Sequence, residues 1–472
     1  MKLENVKYKN FLWPVLIGLI IWFLAPIRPD AVSLAAWHML AIFVGTIIAC
    51  ITQPVAIGGV ALIGVTLTVL LGIVPMENAT TAFGNNTVWL IAMAYFLSRG
   101  FIKTGFGRRV ALIFVRLFGK RTLGLAYSLV GVDLVTAPAT PSNTARAGGI
   151  IFPIIESLAT TFGSHPKDGT ERKIGSFLVY TEFQGDIITS AMFLTAMAPN
   201  LVAVAMAGKA GVHITWISWF LAALVPGIIS LICVPYIIYK LYPPEVKETP
   251  NAKDWADKEL AEMGPMSKPE KIMMTVFLIA LALWIASSFI GLDATLVAFI
   301  AVSLLLLTGV LSTSDILKET GAWNTLIWFS ILIFMANELT QLGLIKWLST
   351  SIGSALHGVS WMMVLIILFL FYFYTHYLFA SGTAHVTAMY AALLAVALAA
   401  GVPHMLAAIM LAFCGPLFSS TTHYASGPAT VLFGSGFVKQ SDWWRLNAIL
   451  GVFYIIVWLG GGLLWTKVLG MW

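Results

Sequence analysis

The chain has 472 residues, 59% of them hydrophobic and only 10% charged, with a net charge of +6 and a mean hydropathy of +0.90. Soluble domains carry about 25% charge, so these values exclude a soluble enzyme or a nucleic-acid-binding domain and require a polytopic membrane protein with no nucleic-acid partner. The three cysteines, Cys50, Cys233 and Cys414, sit in apolar segments without metal-ligand spacing or a disulfide framework, and no metal or cofactor is expected.

Lysines precede an apolar run at 11–26 that lacks a small-residue cleavage site, so a retained first helix is expected. Further spans are expected at 33–51, 55–74 and 84–101. A basic stretch, 99–121, interleaves Arg99, Lys103, Arg108, Arg109, Arg116, Lys120 and Arg121 with apolar residues. A helix lying in the headgroup region has this pattern. Residues 122–160 are too long for one span and are broken at Pro138-Ala-Thr-Pro-Ser-Asn-Thr-Ala-Arg146. A break at membrane depth is tolerated only in protein or beside a wet cavity, so a re-entrant hairpin is expected. The fifth span, 175–208, is interrupted at Ala198-Pro199-Asn200, and the sixth covers 214–239. A polar segment, 240–271, balances lysines with acids and reads as a solvated linker.

Spans seven to nine follow at 272–290, 293–311 and 322–343, with a connecting stretch at 344–358. A second broken segment, 359–401, holds Phe379-Ala-Ser-Gly-Thr-Ala-His385. The tenth span, 403–436, is interrupted at Ser426-Gly427-Pro428, and the eleventh covers 446–470. Asn86-Thr87 and Asn324-Thr325, Gly105 and Gly343, Ser142 and Ser381, and Pro199 and Pro428 recur in one order at nearly one spacing, which argues for an internal repeat. With the N-terminus in the cytoplasm and the C-terminus outside, all but five of the 27 Lys and Arg fall on cytoplasmic segments. The exceptions are Arg28, Lys209, Lys346 and Lys467 outside and Arg146 at membrane depth. The hairpins then open from opposite sides, so the repeats are inverted, as in many secondary transporters. The expected fold is an all-α polytopic membrane protein with about 11 transmembrane helices plus two re-entrant hairpins.

Half-helices starting at Ser142 and Ser381 present unpaired N–H groups and a partial positive charge. Ser, Thr and Asn cap such ends, and the same donors bind anions. Aligning the tracts pairs Ser142 with Ser381, Asn143 with Gly382, Thr144 with Thr383 and Arg146 with His385. Two facing ends can grip a short dicarboxylate. A charge at mid-bilayer costs at least about 2.5–3.5 kcal/mol, so Arg146 needs a cavity or a partner. Asp133, Glu156, Glu182, Asp186 and Glu338 are the acids at that depth, and an ion pair with Asp186 is one reading. The matching cationic position at His385 favours the other, a cation at an anion site. The breaks at Thr195 to Asn200 and Ser426 to Thr430 line the site, bind a cation or only kink their helices. Asn86, Asn324, His376 and His423 read as structural. Phe433-Gly-Ser-Gly436 lacks the strand a nucleotide loop needs, and neither HExxH nor GxSxG occurs, so no enzyme is expected.

Ser142-Asn143-Thr144, Ser381-Gly382-Thr383, Ala198-Pro199-Asn200 and the stretch from Gly427-Pro428 to Gly436 resemble the divalent anion/sodium symporter family, the INDY-like carriers. The resemblance runs in order along nearly the whole chain. It is nearest to the exchanger branch of 2-oxoglutarate/malate, citrate/succinate and tartrate/succinate antiporters. It implies a homodimer in the cytoplasmic membrane. The scaffold would be 1–98 and 272–343, and the transport domain, moving as an elevator, would be 122–239 and 359–472. Connecting helices at 99–121 and 344–358 and a linker at 240–271 would join them. The resemblance implies that Ser142, Asn143, Thr144, Ser381, Gly382, Thr383, Pro199, Asn200, Ser426 and Pro428 bind a C4–C6 dicarboxylate such as 2-oxoglutarate, malate or succinate.

Two features depart from the sodium-coupled pattern. The second motif is Ser-Gly-Thr, and the second helix break has no asparagine after its proline. The family's sodium sites lie beside the hairpin motifs, where Arg146 and His385 stand. A fixed cation about 4 Å from sodium repels it by about 4 kcal/mol at an effective dielectric of about 20. The expectation is sodium-independent exchange in which Arg146 and a protonated His385 compensate the dianion. An empty site, left with unpaired buried cations, would cross poorly. A sodium-coupled di- or tricarboxylate symporter and an anion channel are the alternatives.

Overall fold

Apolar runs punctuated by proline and glycine fold here as helices joined by short turns. The computed structural model describes residues 6–355 and 358–472, and no strand occurs among them. The first half comprises α1 (Leu12–Phe23), α2 (Leu34–Thr52), α3 (Ile57–Leu70), α4 (Met76–Thr81), α5 (Asn86–Thr104), α6 (Phe106–Phe118) and α7 (Thr122–Thr136). After a break, a π-helical turn over Ala145–Ile151 continues as α8 (Phe152–Thr161), followed by α9 (Gly175–Met192), α10 (Ala198–Lys209) and α11 (Trp216–Leu241). A cross-over helix, α12 (Asn251–Met263), leads to α13 (Lys268–Ile290). The second half continues with α14 (Ala294–Leu307), α15 (Thr313–Lys318), α16 (Thr320–Gln341), α17 (Leu344–Ala355), α18 (Trp361–Thr375), α19 (Gly382–Ala399) and α20 (His404–Leu417). It ends with α21 (Gly427–Gly434), α22 (Gln440–Tyr454) and α23 (Gly462–Val468). The expected connecting stretch 344–358 is helical to Ala355, and residues 356 and 357, like 1–5, lie outside the described residues. Among the described residues, eight helical runs are long and apolar enough to cross a membrane, and four apolar ones are shorter.

The sequence repeat is a repeat of elements. The order from α3 to α11 recurs from α14 to α22. A six-residue helix (α4, α15) precedes a long one (α5, α16) in each half. The long helix then turns at a glycine with positive φ, 74° at Gly105 and 86° at Gly343. Only glycine adopts this conformation without strain. A helix of 15 residues (α7, α18) then ends in a 3-10 turn before each broken motif.

Every residue of α9 is buried, as is α20 from Leu406 to Leu417. They pack on each other, with α7, α8 and α11 also against α9. A helix enclosed on all sides can pair its polar side chains only internally. Gln184 of α9 accordingly donates to Asn447 at 3.0 Å and accepts from Tyr454 at 2.9 Å. Large apolar side chains on α1 and α3, such as Leu19, Leu67 and Leu70, face outward, as lipid contact requires.

The polar segment 240–271 is not a freely solvated linker. It folds as α12 and packs on α6. Arg108 pairs with Glu259, Arg116 with Asp257 at 2.8 Å, and Arg109 with Glu270 at 2.5 Å. Acids that looked like solubilising charge on the sequence meet the basic face of the amphipathic helix.

Candidate functional site

Both hairpin tips are built the same way. At the first, an extended Thr140 leads to Ser142, whose Oγ accepts from Ala145 N at 3.2 Å and whose carbonyl accepts from Arg146 N at 3.1 Å. At the second, Ser381 Oγ accepts from Ala384 N at 3.3 Å and its carbonyl from His385 N at 3.1 Å. Each serine spends its side chain on one orphan donor of the helix start. Earlier in the first turn, Thr144 N donates to Asn143 Oδ1 at 3.0 Å, and the other N–H groups that come earlier in each turn stay at the tip.

The two interrupted helices contribute a matching pair of starts. Met197 before α10 and Ser426 before α21 are extended, with φ of −154° in both. Proline follows at the second helical position, where its missing N–H costs nothing. Four helix N-termini therefore converge on one cavity of about 160 Å³. Its lining contains Ser142, Asn143 and Thr144 from the first tip, Ser381, Gly382 and Thr383 from the second, and Pro199 and Ser426 from the breaks. No charged side chain lines it. Anion binding there would rest on hydroxyls, backbone N–H groups and helix dipoles.

Four expected site residues lie outside that lining. Asn200 is buried, and its Nδ2 donates to Ser190 O at 2.7 Å and Phe193 O at 3.1 Å. It satisfies the carbonyls that the break frees at the end of α9. Pro428 is buried at the start of α21.

Arg146 has no exposed surface. Its Nε donates to Asp133 Oδ1 at 2.8 Å, and its Nη1 to Thr140 O at 2.7 Å and Ala196 O at 2.6 Å. Its Nη2 donates to Asp186 Oδ1 and Ser190 Oγ, both at 3.0 Å. A guanidinium has five donors, and all five are used. The internal ion pair is thus the correct reading, with two aspartates rather than one. The cation expected to meet substrate instead bolts the first tip to the first break. Thr189 also donates to Asp133, and Thr195 donates to Pro138 O at 2.5 Å.

His385 is likewise buried away from the cavity, its ring against Phe379, Phe418 and Tyr372. Its Nδ1 lies 2.9 Å from Nδ1 of His376, whose Nε2 lies 2.9 Å from Ala425 O. A carbonyl only accepts, so His376 Nε2 carries a proton, and the bare Nδ1 of neutral His376 accepts from His385. The histidine pair thereby links the second tip to the second break, as Arg146 links the first. His376 was not legible as part of this link, because nothing in its neighbourhood in sequence points to Ala425.

The sequence also gave no sign of Tyr95. It reaches the cavity from α5, where its hydroxyl faces Ser142 and Thr325.

The profile of the family described as "Sodium:sulfate symporter transmembrane region" matches residues 5–472. The chain belongs to this family. Within the family it is 54% identical to YflS of Bacillus subtilis (strain 168), whose name proposes malate transport, over all of this chain and 98% of that one. It is 46% identical to the chloroplastic dicarboxylate transporter 1 of Spinacia oleracea, over 99% of this chain and 83% of that one. The citrate/succinate antiporter of Escherichia coli (strain K12) is 37% identical, over 98% and 99%. The fold is similar to the crystal structure of the Alcanivorax borkumensis YdaH transporter, with a TM-score of 0.59 at 12% identity over 98% of each chain. The protein is therefore an integral membrane transporter of this family, whose relatives named here carry di- and tricarboxylates in their names.

Proposed function

We propose that the protein is a sodium-independent antiporter exchanging C4–C6 dicarboxylates, such as 2-oxoglutarate, malate and succinate, across the cytoplasmic membrane. Ser142, Asn143 and Thr144 would hold one carboxylate and Ser381, Gly382 and Thr383 the other, with Pro199 and Ser426 shaping the walls. The names of the plant and Escherichia coli relatives support the substrate class and the exchange mode.

The observation that carries sodium independence is the placement of Arg146. Sodium would need the carbonyls that the first break frees. Thr140 O and Ala196 O already accept from the guanidinium, and Pro138 O from Thr195. The His376–His385 pair takes Ala425 O at the second break. In this reading Arg146 and His385 stand in for sodium as internal braces, not as ligands of the substrate.

Obligate exchange then needs a source other than unpaired buried cations, because Arg146 is paired. The four helix N-termini supply it. Without an anion, their donors would cross a dry slab unsatisfied, at about 1–3 kcal/mol for each lost partner. A second dianion removes that cost. Movement would carry the parts 122–239 and 359–472 past a dimeric scaffold of 1–98 and 272–343, with the N-terminus cytoplasmic. The Tyr95–Ser142 contact joins those two parts and would break in each cycle.

Proteoliposomes test this reading. Labelled 2-oxoglutarate should enter vesicles preloaded with succinate, in sodium or potassium alike, and should not enter empty vesicles. The family's name includes sodium. Sodium-dependent uptake into empty vesicles would therefore replace exchange with symport.

A further inference from the structure

Behind the first hairpin, α9 carries a carboxyl that the exchange site does not use. Glu182 has no exposed surface, and neither of its oxygens has a hydrogen-bond partner among the described residues. One turn on, Asp186 Oδ1 accepts from Arg146, and its Oδ2 has no partner either. The charged groups acting on Glu182 are Asp133 from α7, Asp186 from its own helix, and Arg146 from the first hairpin. Other helices packed on α9 bring Glu156 on α8, Lys240 on α11 and His404 on α20, and all three are exposed.

One guanidinium thus faces three carboxyls, all without exposed surface. The five donors of Arg146 serve Asp133, Asp186, Ser190 and two carbonyls, so none reaches Glu182. An ionised carboxylate with no donor in a dry interior is strongly disfavoured. A proton removes that charge. It also supplies a donor one helical turn from the orphan Asp186 Oδ2, a spacing that places both side chains on one face. Among the described residues no three His, Cys, Asp or Glu side chains are grouped to hold a metal cation, and the nearby carbonyls of Pro138, Thr140 and Ala196 already accept hydrogen bonds.

We infer that Glu182 and Asp186 form a proton-binding site behind the first hairpin, with the proton resident on Glu182. The site communicates with the cavity by a short path. Asn143 lines the cavity and its side chain faces Asp186, while Arg146 joins Asp186 to the carbonyl of Thr140 at the tip. Loss of the proton adds a negative charge behind the donors that hold a carboxylate. Dianion affinity therefore falls as pH rises, in a range where the dianion itself no longer titrates. This consequence for affinity rests on the proposed exchange site, whereas the proton itself does not.

Infrared difference spectra of the reconstituted protein between neutral and alkaline pH test the proton directly. The wild type should show a carboxylic-acid C=O band that disappears at alkaline pH, and Glu182→Gln should lack it. Absence of the band in the wild type, or a band of unchanged size in the variant, overturns the inference. In counterflow, the KM for succinate should be higher at alkaline than at neutral pH, although carboxylates of ordinary pKa are ionised at both. For one proton the rise cannot exceed about tenfold per pH unit, and Glu182→Gln should flatten it. The same slope in the variant as in the wild type also overturns the inference. The infrared arm needs no transport, so failure of the exchange reading would appear separately, in the counterflow alone.

Discussion

The side chain of Thr144, at the tip of the first hairpin, fills the space that a Cβ on Gly427 would need. A built Cβ there runs into the Thr144 hydroxyl Oγ1 first, and falls 3.0 Å from Thr144 Cβ and 3.1 Å from its Cγ2. The contact joins the first repeat to the helix break of the second, at the wall of the cavity. Gly427→Ala should therefore spread the tip from the break. Overpacking of this kind costs about 1–3 kcal/mol, and exchange should fall with it. At Gly382 the nearest atoms to a built Cβ are 3.6 Å away, so Gly382→Ala should leave thermal stability nearly unchanged. Combining Gly427→Ala with Thr144→Ala should recover most of the stability, because the clashing hydroxyl and methyl are gone. Thermal unfolding in detergent distinguishes these variants, and equal losses at both glycines would contradict the packing argument.

Arg146→Met should be among the most damaging single changes. It leaves Asp133 and Asp186 without their shared cation and two carbonyls without a donor. Breaking a buried pair costs about 3–5 kcal/mol. Arg146→Lys keeps the charge but has three donors in place of five, so it should be intermediate. Folded yield and melting temperature should rank wild type above Lys above Met. A Met variant as stable as the wild type would mean that the aspartates are not charged partners of Arg146.

The hairpin serines should matter to affinity more than to folding. Loss of a hydrogen bond to a carboxylate costs about 1.5–3 kcal/mol, which corresponds to about a ten- to 150-fold change in an equilibrium constant. Ser142→Ala and Ser381→Ala should each raise the KM for succinate within that range, and Thr383→Ala should raise it by removing a lining hydroxyl. Counterflow kinetics give the answer. Wild-type KM values in all three would remove the tips from the substrate site.

Outside the membrane-spanning segments, Lys103 pairs with Asp315 at 2.6 Å, tying the end of α5 to α15. The Lys103 ammonium and the Ser312 hydroxyl and N–H hold the Asp315 carboxyl well below its usual range. A depressed carboxylate stabilises the fold above its unfolded pKa, about 3.9, and the contribution is lost as pH falls towards the folded value. The Lys103 side chain is 40% exposed, so solvent screening keeps the pair to about 1 kcal/mol or less. Asp315→Asn should lower the melting temperature slightly at neutral pH, and that difference should shrink progressively as pH falls below about 4. A difference that persists in acid would assign the effect to the Ser312 cap rather than to the ion pair.

Much of this architecture was legible in the sequence because it is local or periodic. Apolar runs of spanning length, the prolines that end them and the polar interruptions at Ser142 and Ser381 depend only on neighbours in the chain. The repeat placed both tips and both breaks in equivalent positions, and the cavity forms where those four elements meet. Partners were not legible. Arg146 lies 13 residues from Asp133, 40 from Asp186 and 50 from Ala196, and no local pattern shows whether a guanidinium will turn to them or to a ligand.

The sequence by itself determined that this is a helical membrane protein with two related halves and two hydroxyl-rich helix starts, since hydropathy and repetition follow from composition along the chain. Only the tertiary structure decided which polar groups remain free at the cavity. The Arg146 guanidinium, the Asn200 Nδ2 donors and the histidine pair are consumed by carbonyls and carboxylates from other elements, because a buried donor takes whichever partner packing brings within reach. The same rule leaves the tips with uncharged donors, and it leaves Glu182 without any donor at all.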